Sequence, residues 1–547
     1  MTNPIVNVAM QLASAAEDRA DAVAIAAPRR GGYDTITFRE LDDDSNRIAR
    51  GLHAIGVTQG TRLALLVPPS IDFITLVFAL LKSGAVTILI DPGMGKKNLL
   101  QCLTDARPEG FVAITKGQLV RRLFAKRFPL AKINVTVGRR WLAGGVALDI
   151  LRRKHSSDSF VAPTSADDPA AIIFTTGSTG PPKGVLYRHE MFDAQARLIR
   201  DRFGITAGEV DLPGFPLFGL FNCAMGVTTV IPDMDPTRPA EVDPPRILRA
   251  MQDWSVTQAF GSPAMWNRIS LYCQQHNQQI PTLRRVLSAG APVPPEVLQR
   301  MTACIAESGE MHTPYGATEA LPVASISAAE VLGETAALTA QGAGTCVGSR
   351  FPEVEWKVIR ITDCPIDCLA DVEELPTSEI GELIVCGSVI SREYATRVDA
   401  NRTGKIPDGN DVWHRMGDVG YLDAKDRFWF CGRLAHRVQT AEGTMFTVPC
   451  EAIFNQHEDV YRSALVGVGP AGQQRPVLVV EPLPGRFPRS PERQTQFERQ
   501  LAQLAAGYPK TNTIGDFLFH ESFPVDIRHN SKIFREKLSV WAADRIT

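Results

Sequence analysis

No apolar run in this sequence is long enough to cross a bilayer. The most apolar stretch, FITLVFALLKSGAVTILI, is broken by Lys82, Ser83 and Gly84. A spanning helix needs about 20 mostly apolar residues, so this stretch reads as a buried helix, a turn and a buried strand. The N-terminal stretch MTNPIVNVAMQLASAAEDRA lacks a basic region and carries acids early. No secretory signal and no transmembrane segment are therefore expected, and a cytoplasmic location is. An excess of one charge is also missing. Lys and Arg number 58 against 60 Asp and Glu, for a net charge of −2, so no whole-molecule field favours nucleic acid. Internal repeats and long low-complexity segments are absent. The ten cysteines are scattered, and only Cys364 and Cys368 stand close together, with no second pair at zinc-ligand spacing. Free thiols in a reducing compartment are the plain reading, and a metal site at CPIDC is the alternative.

What is present is a chain of 547 residues, 44% apolar and 22% charged, enough for several domains and a large core. The segment ITFRELDDDSNRIARGLHAIG places Leu41, Ile48, Leu52 and Ile55 on one helical side. RLALLV, VTILID, GFVAIT, AAIIFT, TQAFGS and RRVLSAG read as strands, most followed by helix signals. That alternation predicts an α/β architecture with largely parallel sheets. Near Val347 the texture changes to short strands joined by turns (EWKVIRI, GELIVCG, GYLDAKDRFWFCG), which predicts a β-rich subdomain over about 340–432. From 433 to 547 an α+β pattern predicts a small separate domain. One local charge anomaly remains. Between Lys116 and Lys154 basic residues crowd together, with Asp149 the only acid, and LVRRLFAKRF sets Leu119, Leu123 and Phe124 on one helical face. A solvated basic helix is one reading; a docking surface for a membrane or an acidic partner is the other.

The segment IIFTTGSTGPPKGVLY, residues 172–187, carries the chemistry. A glycine-rich turn after a buried strand can aim backbone N–H groups at phosphate oxygens. Gly177 and Gly180 allow close approach. Thr175, Thr176, Ser178 and Thr179 add hydroxyl donors, and Lys183 adds charge. The loop is not a Walker A loop, because Gly184 follows the lysine where that pattern needs Ser or Thr.

TTGSTGPPKGV resembles the phosphate-binding signature of the adenylate-forming superfamily of acyl- and aryl-CoA synthetases, adenylation domains and luciferases. SAGAPV, TPYGATE, HRMGDVGYLD, FCGRLAHRV and NSKIFREKL resemble further motifs of that family, in order, as does ITFRELDDDSNRIARGL near the N-terminus. The resemblance spans nearly the whole chain. It implies a large N-terminal region of stacked α/β sheets to residue 432 and a mobile C-terminal domain from 433. ATP and Mg²⁺ are the implied cofactors. It further implies that Gly290, Ala291 and Pro292 flank the adenine, with Tyr315 stacked on it beside Gly316. Thr318 would meet phosphate, Glu319 and Thr176 would hold Mg²⁺, Asp418 the ribose hydroxyls, and Arg433 the hinge. Lys532 would stabilise charge on the α-phosphate and the leaving pyrophosphate. In this family the segments holding Phe218, Phe221, Met225, Phe260 and Trp266 lie near the acyl pocket, which implies an aromatic-lined tunnel for a fatty acid.

Several positions depart from the family pattern. Ala435 stands where Asp or Lys is usual, Val438 and Gln439 replace a common Ile-Lys pair, Gly219 replaces a frequent histidine, and Ser531 replaces glycine before the lysine. The run after Ala435 is also slightly longer than usual. These changes fall where the family organises thioester formation. An internal nucleophile avoids a second substrate, since a β-hydroxyl on the bound acid can attack the activated carbonyl, expel AMP and close a β-lactone. TTGSTGPPKGVLYRHEMFDAQ and PGFPLFGLFNCAMG are similar to the β-lactone synthetases of bacterial long-chain olefin biosynthesis. That similarity implies a 2-alkyl-3-hydroxy fatty acid as substrate. It also implies olefin-pathway enzymes as partners, and the basic 116–154 region, by its charge, offers peripheral membrane contact as the other expectation. An acyl-CoA or acyl-carrier-protein ligase is the alternative, and a non-catalytic adenylate-binding scaffold a third. His189 and His312 are candidates for the proton acceptor by residue type alone, and each also suits a packed or surface histidine.

Overall fold

The structure is a computed structural model that describes residues 4–139, 144–175, 181–215, 218–525 and 532–546. The most apolar stretch folds as expected, into helix Ile71–Lys82 and strand Val86–Leu89. Ser70 caps the helix by accepting from the Phe73 N–H, and Gly84, at φ +69°, makes the reversal. Lys82, which interrupts the apolar run, is itself buried. Its ammonium donates to Asp42 Oδ1 at 2.6 Å and Asn46 Oδ1 at 2.7 Å. Burial lowers its pKa while Asp42 opposes the shift. A buried charge persists only when paired, so this lysine ties helix Ile71–Lys82 to helix Phe38–Ala54. The latter starts on a Thr37–Glu40 capping box.

Two large sheets dominate. One has seven strands: Val146–Ala147, Ile133–Val137, Gly110–Ile114, Arg62–Leu66, Val86–Leu89 and Pro169–Phe174 run parallel, and Gly184–Arg188 closes the edge antiparallel. The other has fourteen strands. Its parallel part runs from Val23–Arg29 through Thr228–Val230, Val210–Pro213, Gln258–Gly261 and Arg285–Ser288 to Glu310–Ala317. There the chain reverses in a hairpin, pairing Ala317 with Ala320. Thr318 and Glu319 form its two-residue tip, and every later strand of the sheet pairs antiparallel.

The strands between 345 and 433 are thus hydrogen-bonded onto the parallel sheet and share its core: Phe351, Val354, Leu383 and Phe428 pack with Val323 and Leu198. A change in strand texture marks the switch of direction, while the edge that continues across it leaves no mark in composition. The last segment has a three-stranded sheet of Val460–Val468, Arg475–Pro482 and Asp516–Phe519. Phe454, Leu465, Leu478, Phe497 and Leu501 form an apolar core of its own. No helix among the described residues is long and apolar enough to cross a membrane.

Candidate active site

A cavity of about 2370 Å³ opens where the two large sheets and the C-terminal segment meet. Two strand ends, a hairpin tip and a fourth strand build its polar wall. Strand Pro169–Phe174 delivers Thr175, and strand Gly184–Arg188 begins just after Lys183. The two ends clasp each other: Thr175 N–H donates to the Lys183 carbonyl at 3.0 Å, and Lys183 N–H to Thr175 Oγ1 at 3.2 Å. This mutual pair closes the base of the glycine-rich loop. Thr176, Gly177, Ser178, Thr179 and Gly180 lie outside the described residues.

The hairpin tip supplies Thr318 and Glu319. Tyr187 Oη donates to the Thr318 carbonyl at 2.7 Å, and Tyr394 Oη to Glu319 Oε1 at 2.8 Å. Tyr394 reaches this position because its backbone bridges Val185, next to the loop exit. Its ring lies beneath two cations, with Lys183 Nζ 4.8 Å and Lys405 Nζ 5.4 Å from the centroid. Lys405 also donates to the Ser391 carbonyl. Burial lowers the Lys405 pKa to about 7, with Glu319 opposing and Lys183 adding to the shift. Across the strand pair, His414 faces Lys405 in register. Its Nδ1 is 2.9 Å from the Gly404 carbonyl, so Nδ1 carries the hydrogen. Burial, and then Lys405, hold this imidazole neutral, well below its usual pKa.

Strand Asp411–Leu422 places Asp418 against Tyr315 and Arg433. Tyr315 donates to Asp418 Oδ2, and Arg433 Nη1 is 2.8 Å from Oδ1. Burial raises the Asp418 pKa, while Arg433, then the Tyr315 hydroxyl and then Lys532 pull it back. Although Arg433 is near, Oδ1 has no well-directed donor, and a buried acceptor in that state is suited to a ligand hydroxyl. Gly316 is required where it stands, because a Cβ there would meet the Ala320 carbonyl at 2.5 Å.

Gly290, Ala291, Pro292, Tyr315, Gly316, Thr318, Glu319, Asp418, Arg433 and Lys532 all line the one cavity with Thr175 and Lys183. Phe218, Phe221 and Phe260 line it too. Phe218 and Phe260 stack, with centroids 3.9 Å apart and planes 21° apart. Met225 and Trp266 are corrections. Trp266 is fully buried with its Nε1 donating to the Leu287 carbonyl at 3.1 Å, and Met225 packs with Ala194, Leu198 and Val227; neither reaches the cavity wall. Apolar spacing alone cannot separate a core side chain from a tunnel side chain. His189 and His312 are off the wall as well. His189 is fully buried, which lowers its pKa to about 4, and His312 packs 5.1 Å from the Phe203 ring. Tyr394 and Lys405 had no motif to announce them, and Tyr187 and His414, at the edges of two of the motifs, carried no role there. A lysine in TGKIPDG is indistinguishable from a surface lysine until the strands pair.

The ten cysteines are all free, and no group of three or more His, Cys, Asp or Glu that could hold a metal is found among the described residues. The donor set does suit a nucleotide with a hard cation. Lys183, Arg433 and Lys532 supply positive charge toward one space, Glu319 a single oriented carboxylate, and Asp418 an acceptor with capacity to spare.

Residues 12–395 match the family model described as AMP-binding enzyme. The chain belongs to the AMP-binding enzyme family. Two relatives extend the likeness to nearly full length. The olefin beta-lactone synthetase of Xanthomonas campestris pv. campestris is 47% identical, with 98% of each chain covered. That of Stenotrophomonas maltophilia is 46% identical over the same shares. Among solved structures, ATP-bound MatB from Rhodopseudomonas palustris superposes with a TM-score of 0.78 at 21% identity, covering 99% of this chain and 100% of that one. The AMP-binding fold therefore places the expected motifs around one cavity, and Lys532 lies on its wall in this arrangement.

Proposed function

We propose that this protein is an ATP-dependent β-lactone synthetase acting on a long-chain 2-alkyl-3-hydroxy fatty acid in olefin biosynthesis. The observation that carries the reading is the 46–47% identity to two olefin beta-lactone synthetases over 98% of the chain. The cavity supports it by joining a polar, cationic region to an aromatic wall.

In the first step the substrate carboxylate attacks the α-phosphorus of ATP, giving acyl-AMP and pyrophosphate. Two anions must approach, so charge neutralisation and alignment dominate the barrier. Lys183 and the loop it closes hold the polyphosphate. Tyr315 stacks on adenine, flanked by Gly290, Ala291 and Pro292. Asp418 accepts from the ribose hydroxyls while Arg433 balances its charge. Lys532 stabilises the negative charge that grows on the α-phosphate and the leaving group. Glu319, oriented by Tyr394, would hold Mg²⁺ together with Thr176, and the ion would neutralise phosphate charge when bound. Residues 433–547 act as a mobile domain that carries Lys532 to and from the site.

In the second step the substrate's β-hydroxyl oxygen attacks the acyl carbonyl. A C–O bond forms, the bond to AMP breaks, and the hydroxyl proton leaves with solvent or an acceptor in the cavity. Ala435, on the cavity wall where the family usually carries a charged residue, fits a chemistry with no second substrate. The test is incubation with ATP, Mg²⁺ and a 2-alkyl-3-hydroxy acid, with and without CoA. Lactone and AMP without CoA are expected; thioester formed only with CoA would overturn the reading. With ¹⁸O in the substrate hydroxyl, the label is expected in the lactone, and label in AMP would reverse the direction of ring closure.

A further inference from the structure

Helix Thr115–Leu123 has an inverted face. Its one buried residue is polar: Gln118 donates to the Phe111 carbonyl at 3.1 Å and the Val135 carbonyl at 2.8 Å. Gly117 lets the helix sit close on the sheet, since a Cβ there would meet Ala113 Cβ at 2.9 Å. The apolar side chains point away from the core. Leu119 is 44% exposed, Leu123 78% and Phe124 36%, and Leu130 just beyond is 41% exposed. A helix that packs on a core does the opposite. Residues 116, 119, 120 and 123 are spaced by three and four, so they share one stripe. That stripe begins at the cavity, because Lys116, Gly117 and Val120 are part of the cavity wall.

The charge along this segment has one sign. From 115 to 139 the chain holds seven Lys and Arg and no Asp or Glu. Lys126 and Arg127 are exposed directly beside Leu123 and Phe124. Exposed apolar side chains ringed by cations are complementary to a surface with anionic headgroups above hydrocarbon.

We propose that the face formed by residues 115–130 docks on anionic lipid bilayers and brings the cavity mouth to acid dissolved in them. The delivery half of this proposal rests on reading the substrate as a long-chain acid; the docking half does not. Such an acid partitions into lipid by its own hydrocarbon, so a cavity opening at the bilayer receives it without passage through water.

The test uses the full-length protein, sedimented with vesicles of phosphatidylcholine alone or of phosphatidylcholine with phosphatidylglycerol. Binding is expected with the anionic vesicles only, and added salt should release it. The double variants Leu123→Glu/Phe124→Glu and Lys126→Glu/Arg127→Glu should each lose roughly tenfold or more in vesicle partitioning. They should keep adenylation of a short, water-dispersed 3-hydroxy acid, which also reports that they fold. With long-chain acid supplied in vesicles, their KM should rise while kcat holds. Failure of the unmodified protein to bind anionic vesicles would overturn the proposal. So would equal binding by both double variants. Salt-sensitive self-association removed by the same variants, without vesicle binding, would assign the face to a second copy and overturn it too. Vesicle binding without any lactone product would count against the reaction assigned above and leave the docking face standing.

Discussion

Replacing Tyr394 by Phe removes one oxygen beside Glu319 and leaves the rest of the wall in place. Tyr394 is 3% exposed, and its hydroxyl donates to Glu319 Oε1 at 2.8 Å. A hydrogen bond to a charged group contributes about 1.5–3 kcal/mol. At about 1.4 kcal/mol per factor of ten, that is roughly 10- to 140-fold. The ring and its contacts with Lys183 and Lys405 stay, and Glu319 borders the cavity, where water can replace the lost donor. Stability should therefore change little, while the orientation of the carboxylate is lost. Acid-dependent ATP–pyrophosphate exchange measures the first half-reaction alone, and kcat/KM for ATP in that assay should fall within the stated range. The Mg²⁺ concentration for half-maximal rate should rise, and calorimetric binding of ATP with Mg²⁺ should weaken in parallel. An unchanged Mg²⁺ titration together with unchanged exchange would refute the claim that Tyr394 orients Glu319 for the metal.

Lys405 yields a pH prediction. Its pKa is about 7 in the folded protein and about 10.4 in an unfolded chain, so between those values the unfolded state binds more protons. Its cost to stability is then full below pH 7 and fades as pH rises toward 10. Nucleotide-free Lys405→Met should melt higher than the unmodified protein at pH 7, with the gap closing by pH 10; a gap independent of pH would refute this. Asp418→Asn weakens the acceptor for the ribose hydroxyls and unbalances Arg433, and should raise the KM for ATP by roughly 10-fold or more. Phe218→Ala opens the stacked Phe218–Phe260 wall and should shift preference toward longer or bulkier acids, read in a chain-length series. Met225→Trp should leave that preference unchanged, because Met225 is off the wall, and should cost about 1–3 kcal/mol of stability by overpacking.

Much of the strand order along the chain was legible, because buried parallel strands read as short apolar runs between helical patterns. The helix–turn–strand reading of residues 73–90 rested on Lys82 breaking the run, yet the structure buries that lysine against Asp42 and Asn46. The break was a real signal with a different cause, since polarity in the sequence reports a cost and only the fold reports how it is met. The aromatic wall was legible in part. Phe218, Phe221 and Phe260 line the cavity and Met225 and Trp266 do not, and spacing within a Gly/Phe-rich stretch carries no information on which side of a helix faces the void. Lys405 and Tyr394 were invisible because their roles arise from contacts between segments far apart in the chain: Lys405 is buried near Glu319, and residue 394 pairs with 185 across a bridge.

By itself, the sequence determined the family, the adenylating chemistry and the motif residues that the fold gathers around one cavity. Those depend on residue types at fixed local spacing, and spacing along a chain is written in the chain. Tertiary structure decided which cations gather behind Glu319, which acceptor on Asp418 is left open, and which apolar side chains meet the cavity or solvent. Each of these is a matter of burial and of contact between distant segments. Free energy there depends on what surrounds a group, and no short stretch of sequence records its surroundings.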